Sequence, residues 1–231
     1  RPIAFAGKLD GQGHTITLDI TTSWENATVP VASKANIGLF SELSGNYEIK
    51  NLNLAGEFNA INSNAKTGSL GNLGVLAGAI AEKSNGTLKD CVSSVDLSYN
   101  HYDYVGGFVG KAHAANAYMT MDGLVNNGSI TLTGDSSNNV GGITGATAFY
   151  VVIKNCINNA DIISANIVGG IVGNMYASIS NCINNGDIYA DDIAGGIAAY
   201  TSATSDMVID NCYNTGDIKD TGYIDSTLIR V

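Results

Sequence analysis

Residues 167–192 read IVGGIVGNMYASISNCINNGDIYADD, and residues 193–220 read IAGGIAAYTSATSDMVIDNCYNTGDIKD. Both segments carry the word GGI, then NC-x-N-x-GDI after a spacer. A sandwich gains nothing from repeating its wording. A solenoid does, because each coil stacks on the last and a residue meets its own copy about 4.8 Å away. The first word recurs at Gly106-Gly107, Gly141-Gly142, Gly169-Gly170 and Gly195-Gly196, with weaker copies in LGVLAG (73–78) and IGLF (37–40). The second recurs as IKNLNLAGEF (49–58), LKDCVSSVDL (88–97), MDGLVNNGSI (121–130), IKNCINNADI (153–162), ISNCINNGDI (179–188) and IDNCYNTGDI (209–218).

The repeats read as strand. Runs such as GDIYA, GSITLTG and HTITLDI alternate apolar and polar residues, are rich in Ile, Thr and Tyr, and lie between Asn-Gly and Asn-Asn turn signals. KAHAANAYM (111–119) is the one stretch that suggests a helical turn. The step from Cys156 to Cys182 is 26 residues and that from Cys182 to Cys212 is 30. A propeller blade needs about 40. A coil of three short strands and three turns fits 26. The chain therefore reads as all-β, a right-handed parallel β-helix of about six or seven rungs, roughly 30 Å long at that rise. It reads as one domain over 1–231, with an opening rung and loop at 1–35, divergent rungs at 36–103, regular rungs at 104–220 and a terminal strand at 221–231. One local conflict stands out: Ile179 and Cys182 are both apolar but three apart, so a bend lies between them or one of them faces outward.

Composition narrows the function. The 231 residues are 45% hydrophobic and only 14% charged, with 28 Gly and 2 Pro. That is a chain of many tight turns with enough apolar surface for a core. The net charge is −10, from 21 acidic and 11 basic residues without a basic cluster, which repels a phosphate backbone and speaks against nucleic acid as a partner. No apolar run is long enough to span a membrane. The opening Arg1-Pro2-Ile3 lacks Met, and the stretch 223–231 is still apolar. Both suggest a piece of a longer protein, prone as an isolated segment to end-to-end self-association.

Three groups of residues could carry chemistry. Cys91, Cys156, Cys182 and Cys212 share one slot of the repeat, which Leu52 and Leu124 fill elsewhere. Disulfide or metal chemistry competes there with a buried ladder of free thiols, and the absence of any Cys-x-x-Cys favours the ladder. Asp161, Asp187 and Asp217 form a second column, with Asp96 and Ser129 at the matching places. Stacked carboxylates can hold calcium or imitate a glycosidase pair, but Asp after a Gly turn is ordinarily solvated. The third group is the loop SYNHYDY (98–104), where Tyr99, His101, Tyr102, Asp103 and Tyr104 form a candidate recognition patch, unless the tyrosines fold over the solenoid edge. His14, His101 and His113 show no ligand spacing, and no nucleotide-binding or nucleophile motif occurs. No catalytic residue, metal or cofactor is expected. A column of Asn155, Asn181 and Asn211 is expected to form an amide ladder.

Two stretches resemble known proteins. FAGKLDGQGHTITL (5–18) looks like the opening rung of many bacterial surface β-helix proteins. VGGIVGNMYASISNCINNGDI (168–188) is similar to the repeat of GLUG-motif proteins, and CYNTGD (212–217) follows that motif almost letter for letter. The early rungs depart from it, with Leu52 in place of Cys and LGVLAG in place of GGLVG. The resemblance implies a secreted, extracellular module of a bacterial cell-surface, adhesin-like protein, non-catalytic, with a host or environmental glycan or protein as partner. The competing readings are a carbohydrate-active β-helix enzyme (polysaccharide lyase or glycosidase-like) and an inert spacer or self-assembly segment.

Overall fold

The computed structural model describes residues 4–22, 35–61, 71–113, 118–133, 138–164, 166–201 and 207–220. Among the described residues all strand pairings are parallel, and the strands stack into a β-helix of seven coils with four faces. No helix occurs among the described residues. Within KAHAANAYM, Lys111, Ala112 and Met119 belong to strands and 114–117 lie outside the described residues, as does the expected terminal strand 221–231.

Face 1 begins with Ala4–Phe5 and ends with Ala198–Tyr200. Face 2 runs from Lys8–Asp10 to Ile209–Asp210. Face 3 starts with Thr15–Thr21, Asn53–Ala60 and Val92–Tyr99, then continues as pairs of shorter strands such as Ile157–Asn158 and Ile162–Ile163. Face 4 runs from Ala35–Ile37 to Ile193–Gly195. A coil thus has four faces rather than the three strands expected. A 26-residue coil, from Ile153 to its partner Ile179, accommodates them by cutting its strands to between two and four residues.

The core is a set of axial columns. Ile49, Leu88, Met121, Ile153 and Ile179 line face 2, Leu73, Val105, Val140 and Val168 line face 4, and Leu76, Phe108, Ile143 and Ile171 fill the corner between faces 4 and 1, all fully buried. Each such side chain contributes about 1.5–3 kcal/mol on the scale of transfer from water.

The two repeated words are the two invariant corners. From the second coil on, faces 2 and 3 are joined by two residues, as at Asn155-Cys156 and Asn181-Cys182. Faces 4 and 1 are also joined by two, as at Gly142-Ile143 and Gly170-Ile171. The other two corners vary in length. At the first invariant corner Asn51, Asp90, Asn155, Asn181 and Asn211 all adopt left-handed backbone with φ between 50° and 55°, and Gly123 does so at 68°. Among residue types, Gly, Asn and Asp best tolerate that conformation. This kink removes the parity conflict: Asn181 turns the chain, so Ile179 and Cys182 both point inward and both are fully buried.

The expected column forms an amide bond between two coils at the surface, from Asn211 Nδ2 to Asn181 Oδ1 (2.6 Å), while Asn155 donates to Asp122 Oδ1 (2.7 Å). A second, buried ladder sits three residues beyond. Asn126 donates to Asn158 (2.9 Å), Asn158 to Asn184 (2.7 Å) and Asn184 to Asn214 (2.7 Å). Each amide also donates to a carbonyl two residues ahead, namely Gly128, Ala160, Gly186 and Gly216. That second bond takes the local carbonyl, and face 3 is interrupted at this point in every coil that carries the amide. Where Leu54 or Ser93 stands in the column, the strand runs unbroken for eight residues. Across the corner, a Cβ on Gly142 would collide with the Gly170 carbonyl and the Asn158 amide, and Gly170 stands in the same relation to Gly196 and Asn184. The second glycine of the GG word is therefore the hole into which the amide of the other word packs.

A direct comparison tests this ladder. Asn158→Ala takes one buried acceptor from the Asn126 amide and the coil-to-coil donor from Asn184 Oδ1, and should cost about 1–3 kcal/mol in chemical denaturation. Asn159→Ala, one residue along in an exposed ladder with Asn127 and Asn185, should change stability by less than about 0.5 kcal/mol. Equal losses would show that the buried amides contribute nothing special.

Candidate functional site

The polar residues of the repeat are engaged coil to coil. The thiols of Cys91, Cys156, Cys182 and Cys212 donate to the carbonyls two residues back, at 3.2–3.3 Å, bridging the left-handed kink. The Cys182 and Cys212 sulfurs accept the backbone N–H of Cys156 and Cys182. All four cysteines are free, the first three are buried, and burial pushes the Cys156 thiol well up. In the aspartate column, Asp161 Oδ1 accepts the Asp187 N–H (2.8 Å) and Asp187 Oδ1 accepts the Asp217 N–H (2.9 Å). Asp96 does the same for Ser129. Lys219 Nζ lies 2.6 Å from Asp187 Oδ2, and this bond with the Asp217 N–H holds the Asp187 carboxyl below the usual carboxylate range. Among the described residues no group of three His, Cys, Asp or Glu side chains is placed to hold a metal.

SYNHYDY is not one exposed patch. Tyr99 and Tyr102 are 0% and 1% exposed and belong to the core, because the chain folds both rings inward where face 3 turns toward face 4. Tyr99 Oη meets Ser164 Oγ at 2.9 Å, Ser164 Oγ donates to Asn138 Oδ1 at 2.8 Å, and Asn138 Nδ2 donates back to Tyr99 Oη at 3.2 Å. This closed triangle joins three coils inside the protein. His101 sits at φ 58° in the turn, half-buried. The Asp103 backbone bonds Gly71 and Asn139. Tyr104 is half-buried in face 4, with Lys111 Nζ 4.5 Å from its ring centre.

Exposed aromatics collect instead at a corner of variable length, between faces 1 and 2. In register terms Gly86 pairs with Met119, Met119 with Val151 and Val151 with Ala177. The residues just before the last three are Tyr118, Tyr150 and Tyr176, one tyrosine per coil in a straight axial column. Asn85 and Asn46, themselves in register, continue it toward the N-terminus, and Asn85 Oδ1 accepts the Tyr118 N–H. Tyr118 and Tyr150 are 72% and 50% exposed, with ring centres 5.5 Å apart, edge to face. Phe149 stands 5.4 Å from Tyr176 in the same manner. Tyr150 holds φ at 68°, a conformation a bulky residue seldom adopts. Next to this column is a shallow groove of about 380 Å³ lined by Lys8, Asn46, Glu48, Asn85, Thr87, Tyr118 and Thr120. The signal in the sequence is a tyrosine immediately before three successive face 2 strands, in AYMTM, FYVVI and MYASI. It lies in the spacers between the repeated words.

Two measurements test these assignments. Tyr99→Phe breaks the buried triangle and should cost about 1–3 kcal/mol in chemical denaturation; unchanged stability would remove the triangle from the core. Asp187, with its depressed pKa, stabilises the fold above the ordinary carboxylate range and loses that effect as pH falls through the depressed value. Lys219→Met should return the Asp187 titration, followed by carboxyl carbon NMR shift, toward the ordinary value. An unmoved titration would assign the depression to the Asp217 N–H alone.

No protein-family model matches the chain, and no curated protein matches it. Among solved structures the chain is similar to one described as a "putative immunoglobulin A1 protease" from Bacteroides ovatus, with 16% identity, 91% of this chain and 68% of that chain covered, and a TM-score of 0.49.

Proposed function

We propose that this chain is a non-catalytic, adhesin-like module of a bacterial cell-surface protein, built of GLUG-like repeats and displaying one edge of its β-helix to a protein or glycan outside the cell. One observation carries the reading. The recurring Asn, Asp and Cys side chains are taken up by bonds between coils, whereas Tyr118 and Tyr150 of the tyrosine column stand exposed, with Tyr176 half-buried in line with them. Such division suits a scaffold that holds a surface, because stacked coils keep exposed groups in line at fixed spacing. The repeat wording, above all CYNTGD at 212–217, supports the GLUG-like and cell-surface parts of the proposal. The chemistry needs no metal or cofactor.

The test is incubation of the purified chain with soluble polysaccharides and with mucin, followed by affinity electrophoresis and by chromatography of the products. The expected result is retarded migration in at least one gel and no shortened product. Release of oligosaccharides would replace the binding module with a carbohydrate-active enzyme. Unretarded migration throughout would leave a spacer.

A further inference from the structure

We infer that the corner between faces 1 and 2 is a binding strip for an extended, uncharged polysaccharide chain lying along the solenoid axis. The inference rests on the binding-module reading and assigns the ligand class and the residues. Three features meet there. Tyr118 and Tyr150 present exposed rings on two successive coils, Tyr176 follows half-buried against Phe149 on the third, and Asn85 and Asn46 continue the line over two more. Five coils at the strand spacing of a sheet span about 19 Å. A polysaccharide repeats an apolar sugar face along its length, and a row of tyrosines at constant rise offers matching surfaces with a polar tip on each.

Polar groups of both kinds flank the rings. Thr87 and Thr120 on face 2, with Asn46 and Asn85, supply donors and acceptors in the adjoining groove. The charges there cancel: Lys8 Nζ lies 3.5 Å from Glu48 Oε2. A site without a net charge, on a chain of net charge −10, selects against phosphate, sulfate and uronate polymers. Nucleic acid, which could also stack on tyrosines, is disfavoured on this ground. A protein partner fits less well, because among the described residues the exposed rings there are few, namely Tyr118, Phe149 and Tyr150. Stable protein interfaces bury about 800 Å² on each side around an apolar centre, and the threonines of face 2 border the rings instead.

The backbone at Tyr150 supplies an independent sign. Its φ of 68° places a bulky residue where Asn or Gly is at ease, yet the ring stands half exposed and not packed in the core. Strain of this kind concentrates at sites of recognition.

Isothermal titration calorimetry with cellohexaose, laminarihexaose, chitohexaose and mannohexaose tests the assignment, with single-stranded DNA and gelatin as the other ligand classes. At least one hexasaccharide should bind. Tyr118→Ala, Tyr150→Ala and Tyr176→Ala should each weaken it about tenfold, the loss expected when an anchoring ring is removed. The triple variant should bind none, and Tyr213→Ala, exposed on face 3, should bind as the native chain does. Tyr150→Asn separates binding from folding: its melting temperature should equal or exceed that of the native chain while affinity falls. Binding that survives the triple variant overturns the strip and leaves the module reading standing. Binding of none of the hexasaccharides, or of gelatin alone, overturns the glycan assignment. Shortened products would overturn the module reading itself.

Discussion

Register between coils is held by a side-chain amide that fits only beside a glycine. In the regular half of the molecule, Asn126, Asn158 and Asn184 form an unbroken internal line, each donating both to the next coil and to its own backbone, and Asn214 receives the last of these bonds. Buried amides are tolerable only when so paired. The pairing requires that the neighbouring corner lack a side chain, and Gly107, Gly142, Gly170 and Gly196 meet that requirement. Hence the two words of the repeat travel together. Each is the steric complement of the other.

The surface follows from the same stacking. Aspartates one coil apart would repel if they faced only one another. Here Asp161 and Asp187 each take the backbone N–H of the next aspartate, and Lys219 answers the charge near the C-terminal end of the described coils. Hydrogen bonds to a carboxylate favour its charged form, so the column is compatible with the overall negative charge. It performs the work of a turn cap.

Strand type, parallel stacking and the number of coils were legible because they depend on self-similarity, which survives without any knowledge of contacts. The position of the buried ladder was not, although the expected column does bond amide to amide at Asn211 and Asn181. Asn155 and Asn158 both recur, and only backbone geometry tells that the first occupies a left-handed kink and the second the interior. The same kink hid the four-faced cross-section, since a period of two is lost whenever a residue such as Asn181 reverses parity. SYNHYDY drew notice by composition, yet Tyr99 and Tyr102 are core residues: aromatic content says nothing of direction when the chain bends nearby. The tyrosine column was missed for the opposite reason. Its members are scattered through spacers of unequal length, and only register aligns them.

The cross-section has two corners of fixed length and two of free length. Coil length changes from 40 residues, between Leu9 and Ile49, to 26, between Ile153 and Ile179, and from the second coil on the difference is absorbed at the free corners. Lengthening a loop costs little free energy when its ends are already fixed. A lineage carrying this architecture can therefore rewrite two edges of the molecule by insertion and deletion, while two edges stay closed to change. Variation is confined to those two edges, and whatever evolves there inherits a straight line and a constant pitch.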